Sequence, residues 1–293
     1  MEGRIIPTCR ILPAVAAAAA LVVPAPAQAV RSSNAAWTYL EARAAAIDGD
    51  HSRSAQLLAQ LVDTDVANET VTKQALGQAI SAGDMKLALR LVRNLPAAET
   101  PIEARMLQVA EALRSNDNSR AIALLNQKSE AGDLGFVLPF LQAWAAADAK
   151  QPALALAALD SLGKGNLLAG LGPENRALIL LKFGRTADAQ PLVDQVLKTA
   201  AGRESRLRFA FADAYLAAGD RARASAVIRG LGTAAGPAGE RVLQGKPGGI
   251  AIDNGRRAFS EMLIVLAAEL NRLRNEKMPI ALSQVARYAA PEN

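Results

Sequence analysis

Small residues recur at a nearly constant spacing through most of the chain, and an aliphatic side chain follows each of them four residues later. The small residues are Ser54, Ala88, Ala121, Ala155, Ala189 and Ala224, and the aliphatic ones are Leu58, Val92, Leu125, Leu159, Val193 and Ile228. Successive small residues are 34, 33, 34, 34 and 35 residues apart. Such a period indicates repeated units that bury their apolar faces against one another. Because the small positions predict close approach of two helices, we expect Ala121, Ala155 and Ala189 to be almost fully buried.

A polar dipeptide begins five residues before each small position and predicts the turn of a two-helix hairpin. The six dipeptides are Gly49-Asp50, Gly83-Asp84, Asn116-Asp117, Lys150-Gln151, Gly184-Arg185 and Gly219-Asp220. Four begin with glycine and one with asparagine, the residues that most readily adopt the positive φ of such a turn. The pattern therefore predicts six helix–turn–helix units and no β-sheet.

The sixth unit carries the fullest pattern, in which a large residue, a small residue, a tyrosine, a turn and an alanine follow in order. Its members are Phe211, Ala212, Tyr215, Gly219-Asp220, Ala224, Ile228 and Leu231. Over roughly residues 34–232 the chain resembles the tetratricopeptide repeat family, whose period is about 34 residues. The first unit departs most, since Trp37 lies one place early and Glu41 replaces a large apolar residue. The resemblance implies an all-α solenoid of antiparallel helix-turn-helix repeats, a right-handed superhelix, in an exported bacterial helical-repeat protein.

The period ends after the sixth unit. Residues 233–254 are rich in glycine and proline, which predicts a linker that no helix crosses. Residues 255–293 then predict a C-terminal helical pair, with helices at about 256–275 and 280–289, as a degenerate or incomplete repeat. Because the last residues, 290–293, resemble a junction to a further repeat, two alternatives stay open: the N-terminal part of a longer protein, or a naturally uncapped end.

One side of each first helix is predicted to line a concave groove that binds a peptide or helix. The predicted binding residues are Tyr39, Leu40, Met106, Leu107, Phe140, Leu141, Trp144 and Phe209. The hydrophilic Lys73 and Gln74 interrupt this apolar strip, which suits an amphipathic helix or an extended tail. The alternative is that tight winding, or the segment after Gly230, buries these residues in the interior, which applies most to Phe140 and Trp144.

Candidate catalytic residues are few. His51 is the only histidine, so histidine-based triads and histidine-rich metal sites cannot be assembled without it. Glu204-Ser205 resembles the catalytic pair of lytic transglycosylases. It stands at the start of a predicted helix, however, where an acid and a small polar residue are common. We therefore expect no catalytic residue, no cofactor and no metal site.

The N-terminus carries the features of a secretory leader. Arg4 and Arg10 accompany an apolar run at residues 11–23, and Ala27-Gln28-Ala29 gives a small-x-small cleavage pattern. These features predict a signal peptide at residues 1–29, a periplasmic mature chain and no integral membrane span after cleavage. The alternative, an uncleaved anchor, is disfavoured because prolines interrupt the apolar run before it reaches ~20 residues.

Charge and cysteine usage narrow the possible partners. Removal of the leader lowers the formal net charge from +5 to +4, and the basic residues are dispersed, so nucleic acid is not an expected partner. Cys9 is the only cysteine, which leaves the mature chain without disulfides. The predicted function is an exported, non-catalytic scaffold that binds another protein or peptide in cell-envelope assembly or secretion. The alternative is an accessory solenoid of a cell-wall or polysaccharide-processing enzyme whose catalytic part is absent from this chain.

Overall fold

The computed structural model of the protein describes residues 27–64, 68–129, 132–163, 165–275 and 277–292. Most of the predicted leader, residues 1–26, lies outside them. Fifteen α-helices and no β-strand occur within these ranges. The helices are α1 (Ala27–Ile47), α2 (His51–Val62), α3 (Glu69–Ala82), α4 (Met85–Leu91), α5 (Ile102–Arg114), α6 (Asn118–Leu125), α7 (Leu138–Asp148), α8 (Pro152–Asp160), α9 (Gly172–Lys182), α10 (Thr186–Thr199), α11 (Glu204–Ala217), α12 (Arg221–Arg229), α13 (Gly236–Leu243), α14 (Gly255–Arg272) and α15 (Lys277–Ala289). The prediction of an all-helical fold is confirmed.

The first twelve helices form six hairpins whose turns lie where the sequence predicts them. The first residue of every turn has a positive φ, including the two that are not glycine, Asn116 at 56° and Lys150 at 60°. The next residue closes each turn by donating its backbone N–H to a carbonyl five residues earlier; for Asp220 this bond to Tyr215 is 2.9 Å. In four turns this residue is an aspartate whose carboxylate also caps the next helix, as Asp50 does for the Arg53 N–H at 2.9 Å.

The small residues lie where the two helices of a hairpin pack together. All six, including Ala121, Ala155 and Ala189, have no exposed surface, which confirms the prediction for these three alanines. The aliphatic residues four positions later are also buried, at 4% exposure or less. Each hairpin packs internally, and the second helix of each packs against the first helix of the next. The core is therefore continuous along the chain.

A helix lies inside the stretch that the sequence predicts to be a helix-free linker. Helix α13 occupies residues 236–243 and packs against α11 and α12, with Val242 fully buried. The prediction was wrong here because Pro237 stands in the first turn of the helix, where its missing N–H costs no hydrogen bond. Gly245, at a φ of 82°, ends the helix with the same type of turn as in the hairpins. Only residues 244–254 then connect α13 to α14.

The last two helices form a further hairpin, which we call the C-terminal hairpin (α14 and α15). Arg274, at a φ of 60°, and Asn275 close its turn as in the first six hairpins, and Asn275 caps the Met278 N–H at 3.1 Å. The hairpin does not pack on the preceding unit alone. Helix α15 packs against α3 and α5, and α14 packs against α5 and α7.

Candidate functional site

We use the name first-helix face for the side of α1, α3, α5 and α7 on which the sequence predicts partner binding. Five of the predicted binding residues have 2% exposure or less: Met106, Leu107, Phe140, Leu141 and Trp144. They belong to the continuous core and offer no surface to a partner in this structure. Helices of the segment after Gly230 pack against α5 and α7, the two helices that carry these residues.

Helix α15 covers the face on α3 and α5. Arg114 of α5 donates from Nη1 to the Tyr288 carbonyl at 2.7 Å, and its guanidinium lies 4.5 Å from the centroid of the Tyr288 ring. The Tyr288 hydroxyl donates to the Glu111 carboxylate. Burial, and secondarily this carboxylate, raise the pKa of Tyr288 to about 12. Gln284 donates to the Ser81 carbonyl on α3 at 3.2 Å.

Helix α14 covers the face on α7. Its first residue, Gly255, donates its backbone N–H to the Asp148 carboxylate at 2.8 Å, and a Cβ at Gly255 would lie 3.4 Å from the Cβ of Trp144. The Trp144 indole in turn donates to Asn175 Oδ1 on α9 at 2.9 Å. Phe259 and Leu263 of α14 are fully buried. The chain's own helix thus packs on α7 beside Trp144, one of the aromatic residues of the predicted groove.

The connecting residues 244–254 are held by α11 and α9. Asp213 of α11 accepts three consecutive backbone N–H groups, from residues 248, 249 and 250, at 2.6, 2.9 and 2.9 Å. Phe209, which remains partly exposed, packs so close to Gly248 that a Cβ there would lie 2.7 Å from its ring. Lys182 donates to the Asp253 carbonyl at 2.5 Å. These contacts direct the chain from α13 back across α11 and α9 to α7.

A buried network of charges joins α14 to α9 and to the start of α11. Glu261 and Glu174 are each 3% exposed. Arg203 Nη2 lies 3.0 Å from Glu174 Oε2 and 3.6 Å from Glu261 Oε1, while Arg206 Nε donates to Glu261 Oε2 at 2.7 Å. Burial raises the pKa of Glu174 above its ordinary value, although Arg203 opposes this effect. Glu261 is a functional candidate that the repeat pattern does not mark, although an acidic residue among the apolar residues of a helix is itself unusual.

Helix α1 carries the part of the first-helix face that no other described part of the chain covers. We define its exposed strip as Trp37, Leu40, Ala44 and Ile47, of which the three large side chains are 69%, 60% and 80% exposed. Tyr39 lies beside the strip, half-buried and packed on the core. At the positions of Leu40, Ala44 and Ile47 relative to the turn, α5 carries Leu107, Glu111 and Arg114. The strip is therefore the counterpart of the surface that binds α15.

The residues considered above for catalysis or metal binding, Glu204 and His51, make contacts that are common for structural residues. Glu204 begins α11 and accepts from Arg208 Nε at 2.8 Å, with its side chain 44% exposed. This is the opposite of the dry pocket that a protonated catalytic acid requires. His51 Nδ1 lies 2.7 Å from Gln78 Oε1 on the neighbouring α3. No group of three potential metal-ligating side chains occurs in the described part of the chain.

Comparisons with known proteins give no family for this chain: no protein-family model matches it, and none of the curated proteins is significantly similar to it. Among the residues that the structure describes, no helix has the length and apolar character needed to cross a membrane.

Proposed function

We propose that the protein is an exported, non-catalytic interaction scaffold of the tetratricopeptide type, whose hairpins stack into a right-handed solenoid. The 34-residue period, the positive φ of all six turns and the complete burial of the six small residues support this architecture. Export to the periplasm is supported by the apolar run and the Ala27-Gln28-Ala29 pattern at the N-terminus. Cell-envelope assembly or secretion is the setting in which we place the scaffold.

The exposed strip on α1 is the observation that carries the binding function. The C-terminal hairpin packs on α3, α5 and α7, so within the described residues the continuation of the first-helix face on α1 is the part left open to a partner. A contiguous apolar surface of this kind marks an interaction site rather than a solvated helix surface. Because α15 already occupies the equivalent surface of α5 as a helix, we propose that the strip also binds a helix, through its apolar side.

Site-specific photo-crosslinking tests this function. A photoreactive phenylalanine analogue at position 40 should yield covalent adducts in intact cells. The same analogue at position 154 should not, although Leu154 on α8 has the same 60% exposure. The adducts at position 40 should disappear when Trp37→Lys is introduced, since the strip is then no longer apolar. Absence of adducts at position 40, or equal adducts at position 154, would contradict the proposal.

A further inference from the structure

The exposed strip has the spacing of a coiled-coil seam. Its residues follow one another at intervals of three, four and three, so Trp37 and Ala44 take the a positions of a heptad and Leu40 and Ile47 take the d positions. The opposite side of α1, which includes the fully buried Ala42, packs on the protein's own core. We propose that the strip binds the same strip of a second copy, with the two α1 helices parallel about a two-fold axis. This inference rests on the proposed function, because it names the helix that the strip binds.

A second copy matches the seam because the seam is self-complementary. In a two-fold symmetric pair, every layer is formed by the same residue from each copy. Large side chains at positions 37, 40 and 47 fill three layers, and Ala44 allows the backbones to approach in the fourth. In the part of the chain that the structure describes, the large exposed apolar residues on other helices, such as Leu154 on α8, have no large exposed apolar companions at heptad spacing on the same helix.

The charges beside the seam complement each other only in the parallel arrangement. Arg43 stands at the g position and Asp48 at the following e position, and both are exposed. Within the described ranges, neither side chain has an ion-pair partner. A parallel pair brings g of one helix beside the next e of the other, which gives two Arg43–Asp48 pairs per dimer. An antiparallel pair instead brings the two Arg43 side chains together, and like charges repel.

The size of the seam sets the expected strength of the dimer. Residues 37–47 span only about three helical turns. Interfaces below ~1,200 Å² are weak, so we expect a dissociation constant in the micromolar range. Replacement of a central apolar anchor should then weaken the dimer at least about thirtyfold.

Sedimentation equilibrium of the complete mature chain across the micromolar range tests the inference. The wild type should move from monomer to dimer as its concentration rises. Leu40→Glu should stay monomeric, because two glutamates then face each other in one layer. The matched control Leu154→Glu, at the same exposure on another helix, should dimerise like the wild type. A monomeric wild type, or a Leu154→Glu variant that dissociates as Leu40→Glu does, would overturn the inference.

Charge reversal tests the parallel orientation independently of the apolar layers. Arg43→Glu and Asp48→Arg should each weaken the dimer, and the double variant should regain wild-type dimerisation. A double variant weaker than both single variants would refute the parallel pair. A monomeric wild type that still gives adducts with another protein at position 40 would contradict dimerisation but would leave the proposed binding function intact. A monomer without adducts would overturn the proposed function as well.

Discussion

The first-helix face on α5 and its continuation on α1 occupy equivalent positions in two hairpins but have different surroundings. On α5 this surface carries Glu111 and Arg114, which bind Tyr288 of the C-terminal hairpin through a hydrogen bond, a carbonyl contact and a cation–π contact. On α1 the equivalent positions are Ala44 and Ile47, and they are exposed. The covered surface thus uses polar anchors as well as apolar packing, whereas the open surface is apolar without polar anchors. The two surfaces therefore differ in polar anchors as well as in coverage within the described residues.

The two tryptophans give the largest expected contrast between the regions. Trp144→Ala should lower the free energy of unfolding by about 3–5 kcal/mol. It leaves a cavity beside α14 and removes the indole N–H that donates a hydrogen bond to Asn175. Trp37→Ala should change it by less than about 0.5 kcal/mol when measured on the monomer. Urea denaturation of both variants, monitored by circular dichroism, measures the difference. Equal losses would show that the two regions are not distinguished by coverage.

The next largest loss of stability is expected where the small residues allow two helices to pack closely. Ala121→Leu should destabilise the protein by about 1–3 kcal/mol, because the added carbons have no space between α5 and α6. Ala153→Leu, at an exposed position on α8, is the control and should have almost no effect. Thermal melts of the two variants compare them directly. A stable Ala121→Leu variant would contradict the close packing.

Replacement of Asp213, which holds the connecting residues 244–254, should lower the free energy of unfolding by about as much as Ala121→Leu. Asp213→Ala should cost about 1–3 kcal/mol, since three backbone N–H groups lose a charged acceptor in a buried site. Asp188→Ala removes an exposed carboxylate that pairs only with the nearby Arg185 and should cost less than about 0.5 kcal/mol. Hydrogen exchange at residues 248–250 should also accelerate in Asp213→Ala alone. Unchanged protection there would contradict the role assigned to Asp213.

The smallest expected change in stability concerns Glu292, at the end of the C-terminal hairpin. Arg256 and Arg257 lower the pKa of Glu292 to about 2. Because the folded pKa lies below the ordinary carboxyl value, this pairing stabilises the fold above about pH 4.3, and the stabilisation is lost as the pH falls towards 2. The Glu292 side chain is 36% exposed, so solvent screening limits its contribution to at most about 1 kcal/mol at neutral pH.

A pair of glutamine variants measures this contribution. Glu292→Gln should be slightly less stable than the wild type at pH 7 and should match it near pH 2. Glu269→Gln, whose carboxylate is 57% exposed and pairs with Arg272, should match the wild type at both pH values. A difference for Glu292→Gln that grows as the pH falls would contradict the sign of the pKa shift.

The sequence predicts the hairpins well because their determinants are local. Glycine or asparagine at a turn and alanine at the helix contact act within a few residues, so the six turns and the burial of Ala121 follow from spacing alone. The same reasoning failed for α13, where prolines and glycines suggested a linker although Pro237 occupies a tolerated helix position.

The placement of the C-terminal hairpin could not be predicted in the same way. No period relates α14 and α15 to α3, α5 and α7, and the contacts that join them to these three helices connect residues more than 100 positions apart, such as Asp148 and Gly255. The predicted binding residues therefore fall into two groups, those that stay at the surface and those that are buried. Leu40 remains exposed and Tyr39 half-buried, whereas Phe140 and Trp144 are core residues of α7, against which the distant helix α14 packs.

The packing of the C-terminal hairpin on the first-helix face predicts an energetic coupling between Glu111 and Tyr288, which a double-mutant cycle measures. These residues are 177 positions apart and meet only if α15 lies on α5. The unfolding free energies of Glu111→Ala, Tyr288→Phe and the double variant should give a coupling of about 1.5–3 kcal/mol, as expected for a hydrogen bond to a charged group. A coupling of zero within error would contradict the packing of α15 on α5.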